Sequence, residues 1–143
     1  VLKLEVQKAG AKAAASLELK GKDSVIYLHR KRLANDEPIV TIETFLPYDD
    51  CSFILSHDLE KERLYSILNE RKETSVFRVN RIVEAVEADS RDEQYLDIKK
   101  GKPIQFFTST GYNAYGKPIE YSLARYRGDR NSFEITVFPD NSR

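Results

Sequence analysis

Two stretches of this chain each hold a β-rich run, a turn cluster and a second β-rich run, and this arrangement limits the fold more than any other feature. Val25 to Leu33 opens with β-branched and aromatic residues, Ala34-Asn35-Asp36-Glu37-Pro38 turns the chain, and Ile39 to Leu46 alternates along the return. Later, Ile104–Tyr112 and Ile119–Arg127 flank Asn113-Ala114-Tyr115-Gly116. Runs joined by such short turns pair antiparallel, because a parallel return needs a long crossover.

The remaining elements follow from periodicity. Ala11, Ala13, Ala14, Ala15 and Leu17 predict a helix over 10–19, with Gly21 ending it. Phe53 to Leu59 reads as a short irregular or helical stretch. Leu64, Ile67 and Leu68 predict an amphipathic helix over 62–71. Ser75 to Ala88 reads as a long strand, with a phase slip near Asn80–Arg81 that suggests a bulge. Ser90 and Glu93 make a capping-box pattern for a helix over 91–97, and Phe133–Phe138 reads as a last strand. Strands outnumber helices and come as hairpins, which predicts one α+β domain over 1–143: an antiparallel sheet with flanking helices. Leu17-Glu18-Leu19-Lys20-Gly21-Lys22 also resembles Leu96-Asp97-Ile98-Lys99-Lys100-Gly101-Lys102, and each copy precedes a hairpin with a proline just after its turn. Two pseudo-equivalent halves with a pocket between them are one reading; similar turn chemistry by chance is the other.

Composition narrows the function. Lys+Arg and Asp+Glu are both 23, so the net charge is zero, against the basic surplus of a dedicated nucleic-acid binder. No signal peptide opens the chain, and no apolar run approaches the roughly 18 residues of a membrane span. A cytoplasmic setting is expected. With a start at Val1 and no Met, the chain is expected to be a fragment or processed product. One cysteine, Cys51, and two separated histidines, His29 and His57, offer no metal-ligand spacing. No phosphate loop or dinucleotide fingerprint is present, so no cofactor is expected. Cys51 reads as structural, and nothing points directly to catalysis.

Polar residues on strands carry what signal remains. Arg30 and Arg32 lie two apart and share one face with Ile26 and Leu28. Their forks can hold a phosphate or carboxylate, or they can simply form a solvated strand end. Glu43 shares a face with Ile39, Thr41 and Phe45, where a carboxylate needs a partner unless it sits at a rim. Glu120 and Tyr126 share a face with the small Ser122 and Ala124 between them, leaving room for a ligand or for a packed helix.

The string Arg30-Lys31-Arg32-Leu33-Ala34-Asn35-Asp36-Glu37-Pro38-Ile39, followed by Glu43-Thr44-Phe45-Leu46-Pro47, resembles the first hairpin of UTRA domains. Asp58-Leu59-Glu60 with Leu64-Tyr65 resembles their middle helix. Gly116-Lys117-Pro118-Ile119-Glu120-Tyr121-Ser122, then Tyr126-Arg127-Gly128-Asp129-Arg130, resembles their closing hairpin. The ordered set covers nearly the whole chain.

The resemblance implies a chorismate-lyase-like fold and the C-terminal effector-binding part of a dimeric GntR-superfamily repressor of the HutC subfamily. DNA would be reached only through an N-terminal winged helix-turn-helix outside this chain, and a metabolite would release it. In members that sense sugar phosphates, the paired arginines, here Arg30 and Arg32, hold the phosphate. The first turn of the middle helix contributes as well, commonly through a small hydroxyl residue two before the tyrosine. This chain departs there, with Arg63 before Tyr65. Glu43, Glu120 and Tyr126 map to positions that meet sugar hydroxyls. The expectation is a non-catalytic homodimeric sensor of a phosphorylated sugar or similar anion. A sensor of an amino-acid or amine metabolite, a lyase-like enzyme on the same fold, and a dimerisation module with a vestigial pocket stand as alternatives.

Overall fold

The structure, a computed structural model, describes residues 1–139. Six strands form one antiparallel sheet: β1 (Lys3–Lys8), β2 (Ser24–Ala34), β3 (Glu37–Pro47), β4 (Arg78–Glu87), β5 (Pro103–Tyr112) and β6 (Pro118–Arg127). Their order is β1-β2-β3-β6-β5-β4. The helices are α1 (Gly10–Leu17), α2 (Tyr48–Cys51), α3 (Leu64–Leu68) and α4 (Ser90–Leu96), with a 3₁₀ turn at Ser52–Ser56. This is the expected α+β fold, with both hairpins paired as the turns predict.

The order divides the sheet into two halves of one design. Each is a strand, a helix and a hairpin, β1-α1-β2-β3 and β4-α4-β5-β6, and β3 pairs with β6 at the centre. The likeness extends to the helix ends. Leu17 and Leu96 are the last helical residues and both are buried, and Glu18 and Asp97 follow in the left-handed conformation at φ 56° and 53°. That conformation turns the chain from helix toward the next strand.

The two faces are covered differently. On the helix face, α1 packs Ala13, Ala14 and Leu17 against Val25 and Tyr121. On the same face, Leu96 at the end of α4 packs on Ile104. Arg125 locks α4 down with a two-pronged bond to buried Asp92, Nε to Oδ1 at 2.9 Å and Nη2 to Oδ2 at 2.8 Å. On the opposite face, the connector from Tyr48 to Leu68 covers only one end of the sheet. There Ile54, Leu64, Ile67 and Leu68 close over Ile26 and Leu46. The rest of that face stays open.

The sequence reading needs five corrections. The edge strand β1 was not anticipated: Leu4 and Val6 alternate with charged and polar residues, and no turn cluster announces the run. The middle helix spans only Leu64–Leu68, because Arg63 before it is extended. The capping box sits one residue earlier than expected, between Asp89 and Asp92. No bulge interrupts β4, whose register with β5 runs unbroken from Arg78↔Tyr112 to Glu87↔Pro103. Register shifts fall instead at Arg32/Leu33 and Gly111/Tyr112. Finally, Phe133–Phe138 forms no strand. Its alternating apolar residues pair with no strand edge among the described residues, so β propensity alone has no ladder to join.

The pseudo-equivalent leucines supply a test. Leu17→Ala and Leu96→Ala each empty a fully packed helix end and should each cost about 3 kcal/mol, measured by urea denaturation. A cost under about 1 kcal/mol at either position would contradict the packing described.

Candidate ligand-binding site

The open part of the sheet is a cavity of about 720 Å³, within the range that holds a small metabolite. The strand registers build its floor. Arg30 pairs with Ile42, Ile42 with Ala124 and Ala124 with Phe107, while Thr44 pairs with Ser122, Ser122 with Ser109 and Ser109 with Arg81. Residues paired across antiparallel strands point to one side, so these side chains share the open face. Arg30, Arg32, Arg63, Tyr65, Glu120 and Tyr126 all line the cavity. Six of the seven residues expected from the sequence are thus brought together.

Glu43 is not among them. It pairs with His29 and Leu123 and therefore faces the helix side, where it accepts a hydrogen bond from the Tyr27 hydroxyl and lies 3.7 Å from Arg91. Alternation along β3 gave the correct neighbours, Thr41 and Phe45. Which side of the sheet they occupy depends on the β2–β3 register, which puts Ile42, not Glu43, beside Arg30. The Tyr27 phenol, buried and hydrogen-bonded to this carboxylate, is pushed above its ordinary pKa.

Within the cavity, the polar groups form a chain of contacts. Arg30 Nη2 donates to Thr44 Oγ1 at 3.1 Å, and Thr44 Oγ1 lies 3.3 Å from Ser122 Oγ. The Tyr65 hydroxyl donates to Glu120 Oε1 at 2.6 Å. Arg30 Nε is buried without a hydrogen-bond partner. Burial and the neighbouring Arg32 push the Arg30 guanidinium below its ordinary pKa. A desolvated cation beside a like charge is relieved by an arriving anion. Burial raises the Glu120 carboxyl above its ordinary value, against the opposing effects of Tyr65, Ser122, Arg30 and Arg81. Burial, then the Glu120 charge, raises the Tyr65 phenol as well.

Sequence reasoning missed three contributors. Arg81 reaches the cavity from β4, its Nε donating to Ser109 Oγ at 2.9 Å. The signal in the sequence is an arginine between Val79 and Val83 on one strand face, which by alternation alone reads as a slip in phase. Phe107 lines the same floor. Beyond it, Phe133 packs at a tilt on Phe107 and edge-on to Tyr126, with ring centroids 4.6 and 4.9 Å apart, and so buttresses two residues of the lining. Cys51 is buried, and burial with the Asp50 charge pushes its thiol up to about 12, far from a reactive thiolate. Among the described residues, no cluster of three His, Cys, Asp or Glu could hold a metal ion, and no helix is long and apolar enough to cross a membrane.

The Arg127-Gly128-Asp129-Arg130 run serves the fold. Arg127 pairs with Asp129 at 2.8 Å and donates to the Leu96 carbonyl at 3.1 Å. A Cβ on Gly128 would meet the Pro103 carbonyl oxygen at 2.8 Å, so only glycine fits there. Arg130 pairs with Glu37 at the start of β3 at 2.9 Å.

Comparison with known proteins places this geometry. A family model described as "UTRA domain" matches residues 1–132. The HTH-type transcriptional regulator GmuR of Bacillus subtilis is 29% identical over 130 residues, 91% of this chain and 54% of that protein. The HTH-type transcriptional repressor NagR of the same organism is 27% identical over 110 residues, 77% of this chain and 45% of that protein. The chain thus spans about half the length of these curated relatives. A GntR-family transcriptional regulator from Enterococcus faecalis V583 superposes with a TM-score of 0.86 at 26% identity, covering 95% of this chain and 97% of that one. The effector domain of PhnF from Mycobacterium smegmatis has a TM-score of 0.88 at 19% identity, over 96% of this chain and 85% of that one, which shows a shared fold.

Glu120 makes stability depend on pH. Its carboxyl keeps its proton to higher pH in the folded chain than in the unfolded one. It therefore favours folding fully below about pH 4.5, and this contribution is lost as pH rises through the folded value. Glu120→Gln should gain stability relative to the parent as pH is raised from about 4.5 to about 8. Urea midpoints across that range test this, and a pH-independent difference would contradict it.

Proposed function

This chain belongs to the UTRA domain family, and on that premise we propose that it is the effector-sensing module of a dimeric transcriptional repressor that responds to a phosphorylated sugar or similar anion. The module binds its effector without turning it over. It acts in the cytoplasm and controls operator DNA through a DNA-binding domain carried elsewhere in the protein. The relatives GmuR and NagR are both described as HTH-type regulators, and each is about twice the length of the matched region.

One observation carries the reading. Arg30 and Arg32 leave the same face of β2 into a cavity whose polar lining includes Tyr65, Glu120 and Tyr126. Two guanidinium forks side by side suit a phosphate, which accepts bidentate bonds from each. Tyr65, Glu120 and Tyr126 offer donors and acceptors for hydroxyl groups, the pattern a sugar presents. Arg63, at the residue before α3, adds a third guanidinium at the rim. The effector acts by binding one arrangement of the repressor more tightly than the other, and its leverage on DNA equals that difference in affinity.

A thermal-shift series with hexose 6-phosphates, the matching free sugars and inorganic phosphate tests the assignment. A sugar phosphate should raise the melting temperature where its free sugar does not, since binding to the folded state stabilises it by mass action. Arg30→Ala and Arg32→Ala should each weaken that ligand by about 2 kcal/mol, roughly thirtyfold, while the unliganded fold persists. Full affinity in both variants would overturn the phosphate assignment.

A further inference from the structure

We propose that Arg81 forms a second anion subsite on the wall facing Arg30 and Arg32, so that the effector is a sugar phosphate carrying a second acidic group. This rests on the phosphate-sensing reading above and extends it to the other end of the ligand.

Position separates the two subsites. β2 and β4 lie four places apart in the sheet, about 19 Å between backbones at ordinary strand spacing. Arg30 and Arg81 reach over the floor from opposite sides, Arg30 ending at Thr44 on β3 and Arg81 at Ser109 on β5, so their guanidinium groups stand over different strands with β6 between them. Arg81 is also held in place. Its Nε donates to Ser109 Oγ at 2.9 Å and its guanidinium carbon lies 5.7 Å from the Phe107 ring centre. Its two terminal nitrogens have no hydrogen-bond partner among the described residues, which leaves the flat end of the fork to bind a carboxylate or phosphate.

Charge supports the same conclusion. Among the described residues, none of the cavity arginines Arg30, Arg32, Arg63 and Arg81 has a carboxylate oxygen within 4.0 Å; outside the cavity, Arg91, Arg125, Arg127 and Arg130 are each paired, while Arg71 and Arg78 lie over the Phe53 and Tyr112 rings. The cavity lining holds six Lys or Arg residues against three Glu, in a chain whose net charge is zero. Among the described residues, Glu120 has no oxygen within 4.0 Å of Arg81, and one of its oxygens accepts the Tyr65 hydroxyl's hydrogen bond. A phosphate monoester brings about two negative charges, which Arg30, Arg32 and Arg63 answer. Arg81 remains, aimed at a part of the ligand beyond the phosphate.

The test is isothermal titration of the domain with glucose 6-phosphate, gluconate 6-phosphate and inorganic phosphate, repeated on Arg81→Gln, Arg81→Lys and Arg30→Ala. Unliganded melting temperatures check that each variant is folded. The parent should bind gluconate 6-phosphate at least about tenfold more tightly than glucose 6-phosphate. Arg81→Gln should erase that preference, weakening gluconate 6-phosphate about tenfold more than glucose 6-phosphate, Arg81→Lys should keep part of it, and Arg30→Ala should weaken both compounds. Binding of both compounds with no preference for the acid, or equal weakening of both by Arg81→Gln, would overturn the second subsite and leave the phosphate reading standing. No binding of any of the three probes would overturn both.

Discussion

The pairing of β3 with β6 is the contact on which the rest of the molecule depends. It joins two strand-helix-hairpin halves into one sheet, and its register, with Thr44 opposite Ser122, aligns the polar positions of the two halves on one face. A shift of one residue would turn the Glu120–Tyr126 face away from Arg30 and Arg32. Neither half alone contains the site: the first brings the paired arginines, the second brings Glu120, Tyr126 and Arg81, and the connector between them brings Arg63 and Tyr65. The side-chain contact between Thr44 and Ser122 ties the same two strands within the cavity floor.

The two faces divide the work. One is filled by α1 and α4, with alanines allowing close approach and Arg125–Asp92 fixing the second helix. The other is left partly uncovered, because the connector is short of helix and closes over only one end. Arg30, desolvated beside Arg32 and without an ion-pair partner, is held in the cavity at a cost to the empty protein. In the proposed reading, an anionic effector removes that cost on binding and is thereby favoured over a neutral compound. The closing run around Arg127 and Gly128 has a different purpose: it staples the end of β6 to α4, to the start of β5 and to the start of β3, keeping the site's walls in register.

What the sequence by itself determined is local. Turn residues and alternation defined both hairpins, and the period of two placed Arg30 with Arg32 and Glu120 with Tyr126 on common faces. The repeated Leu-acid-aliphatic ends of α1 and α4 marked the two halves before any contact between them was known. The resemblance to UTRA domains added the order of the pieces. Only the tertiary structure decided which faces of different strands meet. Glu43 and Arg81 exchanged fates for that reason: one was expected in the cavity and lies behind the sheet, the other looked like a break in a strand and lines the cavity. Alternation fixes sides within a strand. Sides between strands follow from hydrogen-bond register over long sequence separations, and from helices that cover one face and leave the other open.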